Sequence, residues 1–99
     1  MKLVLAVMFA CLPLLAGAQE KMPQDVARFV ENAQMCEHFA GEWDENDKAR
    51  QREITQAIEQ SCGAAQRQLK RLRVKYAKQP KLQKVIADNA NDAVRSFRK

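Results

Sequence analysis

Apolar residues recur along this chain at helical spacing, and no segment alternates as a strand would. Val26, Phe29, Ala33, Cys36 and Ala40 follow one another at steps of three and four, which puts them on one face of a helix. Pro23 suits the first turn of that helix and Gly41 its end. A linker, Glu42 to Asn46, follows, with Asp44 or Asn46 as the expected cap of the next helix. Ile54, Ile58, Cys62, Ala65, Leu69, Leu72 and Tyr76 then hold one stripe in phase across Gly63. Either one long helix runs from about Asp47 to Ala77, or Ser61-Cys62-Gly63 breaks it in two. A mid-helix glycine costs only about 1 kcal/mol and does not decide the matter. After Gln79-Pro80, the stripe Leu82, Ile86, Ala90, Ala93 and Phe97 predicts a last helix, weakened by Asn89 and Asn91 and so frayed at its C-terminus.

The start of the chain reads differently. Lys2 precedes an apolar run from Leu3 to Leu15, and Ala16-Gly17-Ala18 is a small-x-small cleavage site, so residues 1–18 are expected to form a secretory signal peptide. The run falls short of the roughly 20 apolar residues that span a bilayer. Cys11 would leave with the leader. The remaining domain, residues 19–99, has no expected membrane span and keeps two cysteines, Cys36 and Cys62. In an oxidising compartment, periplasmic or secreted, the pair most simply forms one disulfide, two free buried thiols being the alternative. For so small a domain such a staple matters. The expected fold is all-α, an array of three to four helices stapled by one disulfide.

That bridge constrains the topology. In a tight antiparallel hairpin Cys36 would lie beside the turn, and Cys62 roughly 22 Å along the second helix. A disulfide tolerates a Cα separation of only about 4.4 to 6.8 Å. Two arrangements escape the conflict. The linker runs back along the first helix so that the second returns parallel to it, which is the favoured expectation. In the other, the residues before Ile54 are not helical.

Charge divides the chain. Residues 19–62 carry ten acidic side chains against five basic ones, whereas residues 63–99 carry eleven basic ones against Asp88 and Asp92 alone. Either the two parts attract each other, or the basic part meets an anionic partner. Arg67, Lys70, Arg71, Lys75 and Lys78 form a basic stripe opposite Leu69 and Leu72. Such a face suits anionic lipid, lipopolysaccharide or an acidic protein, although a merely solvated helix face has the same composition. Nucleic acid is not expected of an exported chain whose basic face lacks interleaved aromatics. Trp43 is either a lid over the core or an exposed partner anchor.

Chemistry is sparse. His38 and Glu42 have the i, i+4 spacing of two metal ligands, but a third would have to come from Glu37, Asp44 or Asp47. Asp44-Glu45-Asn46-Asp47 resembles a calcium loop without its glycine, and Lys48 stands at a ligand position. Ser61, Thr55 and Ser96 have no base to activate them except His38. No catalytic residue and no cofactor are assigned. The stretch Cys36-Glu37-His38-Phe39-Ala40-Gly41-Glu42, with Cys62 downstream, resembles small exported helical proteins of proteobacteria, which implies location and helical character only. Cys62 and Leu72-x-x-x-Tyr76 give a more distant likeness to helical lysozyme-inhibitor-type periplasmic domains. This chain carries no further C-terminal cysteine of that type, and no functional residue transfers. The functional expectation is a non-enzymatic binding protein of the bacterial envelope. Metal binding through His38, or inhibition of an envelope-attacking enzyme such as lysozyme, are the alternatives.

Overall fold

The computed structural model describes residues 22–98; the expected leader, with Cys11, lies outside them. Among the described residues there are four helices and no strand: α1 (Gln24–Ala40), α2 (Lys48–Lys75), α3 (Pro80–Asn89) and α4 (Asp92–Ser96). The all-α expectation holds, with the Cys36–Cys62 disulfide in place at a Cα–Cα distance of 4.7 Å.

α1 begins directly after Pro23, whose carbonyl accepts from Ala27 N–H at 3.0 Å. Pro23 has no side chain able to cap, and Asp25 takes the Val26 N–H at 2.9 Å instead. Val26, Phe29, Ala33 and Cys36 are buried as their spacing predicts. Ala40 is exposed, because the helix ends at Gly41 before anything packs over it. The cap of α2 is Asp47, whose carboxylate accepts from Arg50 N–H at 3.0 Å. Asp44 closes a local turn on Asn46 N–H at 2.9 Å, so neither Asp44 nor Asn46 caps the helix as expected.

α2 is continuous through Ser61-Cys62-Gly63. Its neighbours explain why a glycine is tolerated there. A Cβ at Gly63 would stand 3.8 Å from the Phe97 ring, so this side of α2 is where the C-terminal segment returns. Leu69, Leu72 and Tyr76 continue the buried stripe toward the C-terminus, and Ile58 is half-buried.

The hairpin is antiparallel, which overturns the parallel arrangement. Asp25 meets Lys75, Asn32 meets Gln68 and Cys36 meets Cys62, so positions rise along α1 as they fall along α2. In that register Ala40 stands opposite position 58, and the first ten or so residues of α2 project past the end of α1. The predicted conflict assumed a turn that closes both helices at one level. Residues 41–47 instead climb alongside the projection, held where Gln51 Nε2 donates to Asp44 O at 2.8 Å and Arg50 meets Glu42 at 3.6 Å. Seven extended residues reach about 23 Å at roughly 3.3 Å each. Ten helical residues rise only about 15 Å. Residues before Ile54 are helical too, so the other escape also fails.

The expected last helix is two helices. Pro80 starts α3 at its first turn, where a missing N–H costs nothing. At its other end Asn91 caps α4, accepting from Val94 N–H at 3.0 Å, and donates through Nδ2 to Ala33 O of α1 at 3.0 Å. Gln66 Nε2 donates to both Val94 O and Phe97 O at 2.7 Å. Asn91 builds the corner, Asn89 bonding back to Val85 O at 2.8 Å within α3, and Gln66 ties the last described residues to α2. α3 and α4 cover one side of the α1–α2 seam with Ile86, Ala90 and Val94, closing the core around Phe29 and Leu69. Burying each of the larger side chains contributes about 1.5–3 kcal/mol.

Candidate functional site

The antiparallel register turns the division of charge along the sequence into a division in space. From Gln60 to Ala87 the chain has eight cations and no acid. These residues make up the C-terminal half of α2 and most of α3, at the end of the hairpin where α1 begins. The linker end carries Glu37, Glu42, Asp44, Glu45, Asp47 and Glu53.

The five predicted basic residues do not form one surface. Arg67, Lys70 and Arg71 are exposed and make no ion pair among the described residues. Lys70 and Arg71 flank Val74, which is 79 % exposed and lies one turn on along the same ridge, whereas the Arg67 guanidinium lies back beside Gly63. Lys78 lies beyond the helix, in the turn that follows it. Lys75 leans the other way and donates to Asp25 at 2.6 Å. Tyr76 donates its hydroxyl to the other oxygen of Asp25 at 2.9 Å, and the Lys75 ammonium stands 5.3 Å from the Tyr76 ring centroid. The Lys75 hydrogen bond holds the Asp25 carboxyl below the usual carboxylate range, and Asp25 in turn raises Lys75. Burial, then the same carboxylate, pushes the Tyr76 phenol up.

With Asp25 doubly engaged, the arginines beside it stay uncompensated. A cleft of about 300 Å³ opens between the helices, lined by Gln24, Asp25, Arg28, Gln68, Arg71 and Lys75 over Leu72, the Asp25 carboxylate being held by Lys75 and Tyr76. Arg28, like Arg71, makes no ion pair among the described residues. Sequence reasoning missed Arg28 because it sits in the acidic half of the chain. The signal was the disulfide: with Cys36 opposite Cys62 in an antiparallel hairpin, position 28 faces position 70 and its neighbours.

Trp43 is 49 % exposed and lines a shallow groove with Lys48, Gln51 and Arg52, away from the main core. It is therefore not a lid over that core. His38 is exposed and its ring meets Phe39 edge-on at 5.3 Å. Glu42 is drawn to Arg50, and Asp44 and Asp47 are occupied with backbone N–H groups. Among the described residues no group of three His, Cys, Asp or Glu side chains converges. Ser61 is buried and donates to Ala57 O at 2.7 Å. No described helix is long and apolar enough to cross a membrane. No protein-family model, curated protein or solved structure matches this chain.

Proposed function

We propose that the protein is an exported, non-enzymatic binding module of the bacterial envelope, whose cationic end engages an anionic surface. The observation that carries this reading is the pair Lys70 and Arg71 flanking exposed Val74, with Arg67 one turn before them, none of the three in an ion pair among the described residues. Cations flanking an exposed aliphatic side chain match a layer of anionic headgroups over apolar chains. The leader-like N-terminus, the disulfide and the resemblance to small exported helical proteins of proteobacteria support the compartment. Lys78 and Arg73 extend the same field; Lys75 is spent largely on Asp25.

The test is retention on vesicles. Each basic residue near an anionic surface contributes about 1 kcal/mol. Neutralising Arg67 and Lys70 together (R67Q/K70Q) should then weaken binding to anionic vesicles by about thirtyfold at low salt. Zwitterionic vesicles should bind neither form. Unchanged retention of the double variant refutes the reading.

A further inference from the structure

α3 and α4 cover only one side of the α1–α2 seam. On the open side, the lining positions of α1 follow one stripe, Gln24, Arg28, Glu31, Met35 and Phe39. Those of α2 follow another, from Ala57 through Ala64 and Gln68 to Arg71 and Lys75. Two hollows lie on this path. The cationic cleft of about 300 Å³ described above occupies one end, and a second hollow of about 500 Å³ lies toward the linker. The second is floored by Met35, Phe39, Ala57 and Ala64. The Asn32–Gln68 hydrogen bond, 3.0 Å long, joins them, since Asn32 lines one and Gln68 the other.

The chemistry changes along this path in one direction. At one end, two guanidinium groups from facing helices, neither in an ion pair among the described residues, present forked donors of the kind that grip an oxyanion. Beside them are the amides of Gln24 and Gln68 and an Asp25 carboxylate already neutralised by Lys75 and bonded to Tyr76. At the other end the apolar atoms are unpartnered, and Met35 is 43 % exposed. Of the polar groups there, Ser61 already donates to Ala57 O and Asn32 to Gln68, while Glu31 and Gln60 are exposed to water.

We infer that this open seam binds a single-chain anionic amphiphile, its oxyanion head between Arg28 and Arg71 and its chain over Met35 and Phe39. This rests on the anionic-partner reading and shares Arg71 with the ridge, while Arg67 and Lys70 lie outside the seam. The polar residues along the seam favour a narrow occupant. A partner helix about 10 Å across would also cover Gln60, Gln68 and Glu31, burying polar groups whose water it must replace. A single acyl chain is narrower and can lie on Met35, Phe39, Ala57 and Ala64 while the exposed Glu31 and Gln60 of the same hollow stay in water.

Isothermal calorimetry and NMR of the oxidised protein test this with dodecyl phosphate held below its micelle concentration. Inorganic phosphate and dodecylphosphocholine serve as arms that carry only the oxyanion, or the same chain under a zwitterionic head. Dodecyl phosphate should bind one per chain, about tenfold or more tighter than either arm, and shift the Met35 methyl resonance. The double variant R28Q/R71Q should lose that advantage while melting like the parent. M35E should weaken dodecyl phosphate and leave inorganic phosphate unaffected. Equal binding of dodecyl phosphate and inorganic phosphate overturns the inference, as does full binding by R28Q/R71Q. Shifts at Met35 that depend on protein concentration alone would give the seam to a second copy and overturn it too. R67Q/K70Q separates the two readings: it should lose vesicle retention yet bind dodecyl phosphate normally. If it keeps vesicle retention, the ridge reading fails and the seam stands on the dodecyl phosphate result alone.

Discussion

Removing the bridge with C36A/C62A should destabilise this protein about as much as truncating one of its largest core side chains. The bridged cysteines are 26 positions apart, so reduction frees a loop of about that length in the unfolded chain. In the chain-entropy treatment this costs about 3.5 kcal/mol. A domain of this size has a net stability of only about 4–12 kcal/mol. At about 4–8 °C per kcal/mol, the midpoint should fall by roughly 15–28 °C. The location of the bridge gives a second reason for a large effect. Cys36 lies one turn before the end of α1, and past that point α2 projects without an α1 partner. Loosening the bridge therefore frees the end of α1 and the linker together. Thermal and urea melts by circular dichroism, with the oxidised parent, the reduced parent and the double variant side by side, measure this. The reduced parent and the variant should agree within about 1 kcal/mol. A loss below about 1 kcal/mol in both would refute the reasoning, since the register would then be held by packing alone.

Further outcomes follow from individual contacts. N91A removes the α4 cap and the donor to Ala33 O, and should cost about 2–3 kcal/mol in urea denaturation. G63A should be neutral or stabilise by up to about 1 kcal/mol in the same assay. The new Cβ would meet only the Arg67 guanidinium at 3.4 Å and the Phe97 ring at 3.8 Å, while helix propensity improves. The Asp25–Lys75–Tyr76 cluster predicts a pH profile with two limbs. Asp25 titrates lower in the fold, so its contribution is present above about pH 4 and is lost as pH falls through the lowered value. Lys75 and Tyr76 titrate higher in the fold, so theirs is present below about pH 10 and is lost as pH rises through the raised values. D25N should flatten both limbs in denaturation midpoints measured across pH; limbs that persist unchanged would place their origin elsewhere.

The helices were legible because burial imposes a period. Phe29, Cys36, Leu69 and Leu72 had to face inward in any helical fold, and the spacing alone located them. The disulfide was legible from cysteine count and the export-like leader. Helix direction was not, because periodicity carries no information about how far a linker reaches. The parallel arrangement failed on the single assumption that both helices meet at one level. The weakness at Asn89 and Asn91 was legible and the helix does break there, but the use of Asn91 was not: propensity sees a weak helix former, whereas Asn91 has a carbonyl of α1 within reach only in the folded chain. Arg28 and Arg71 are 43 positions apart, and which of this chain's many cations share a cleft depends on register. The sequence by itself determined a helical, bridged chain with its positive charge gathered in the second half, since composition and period are local properties. Only the tertiary structure decided which cations stay free and where the seam lies open, since pairing across helices depends on the register that the Cys36–Cys62 bridge and the core impose together.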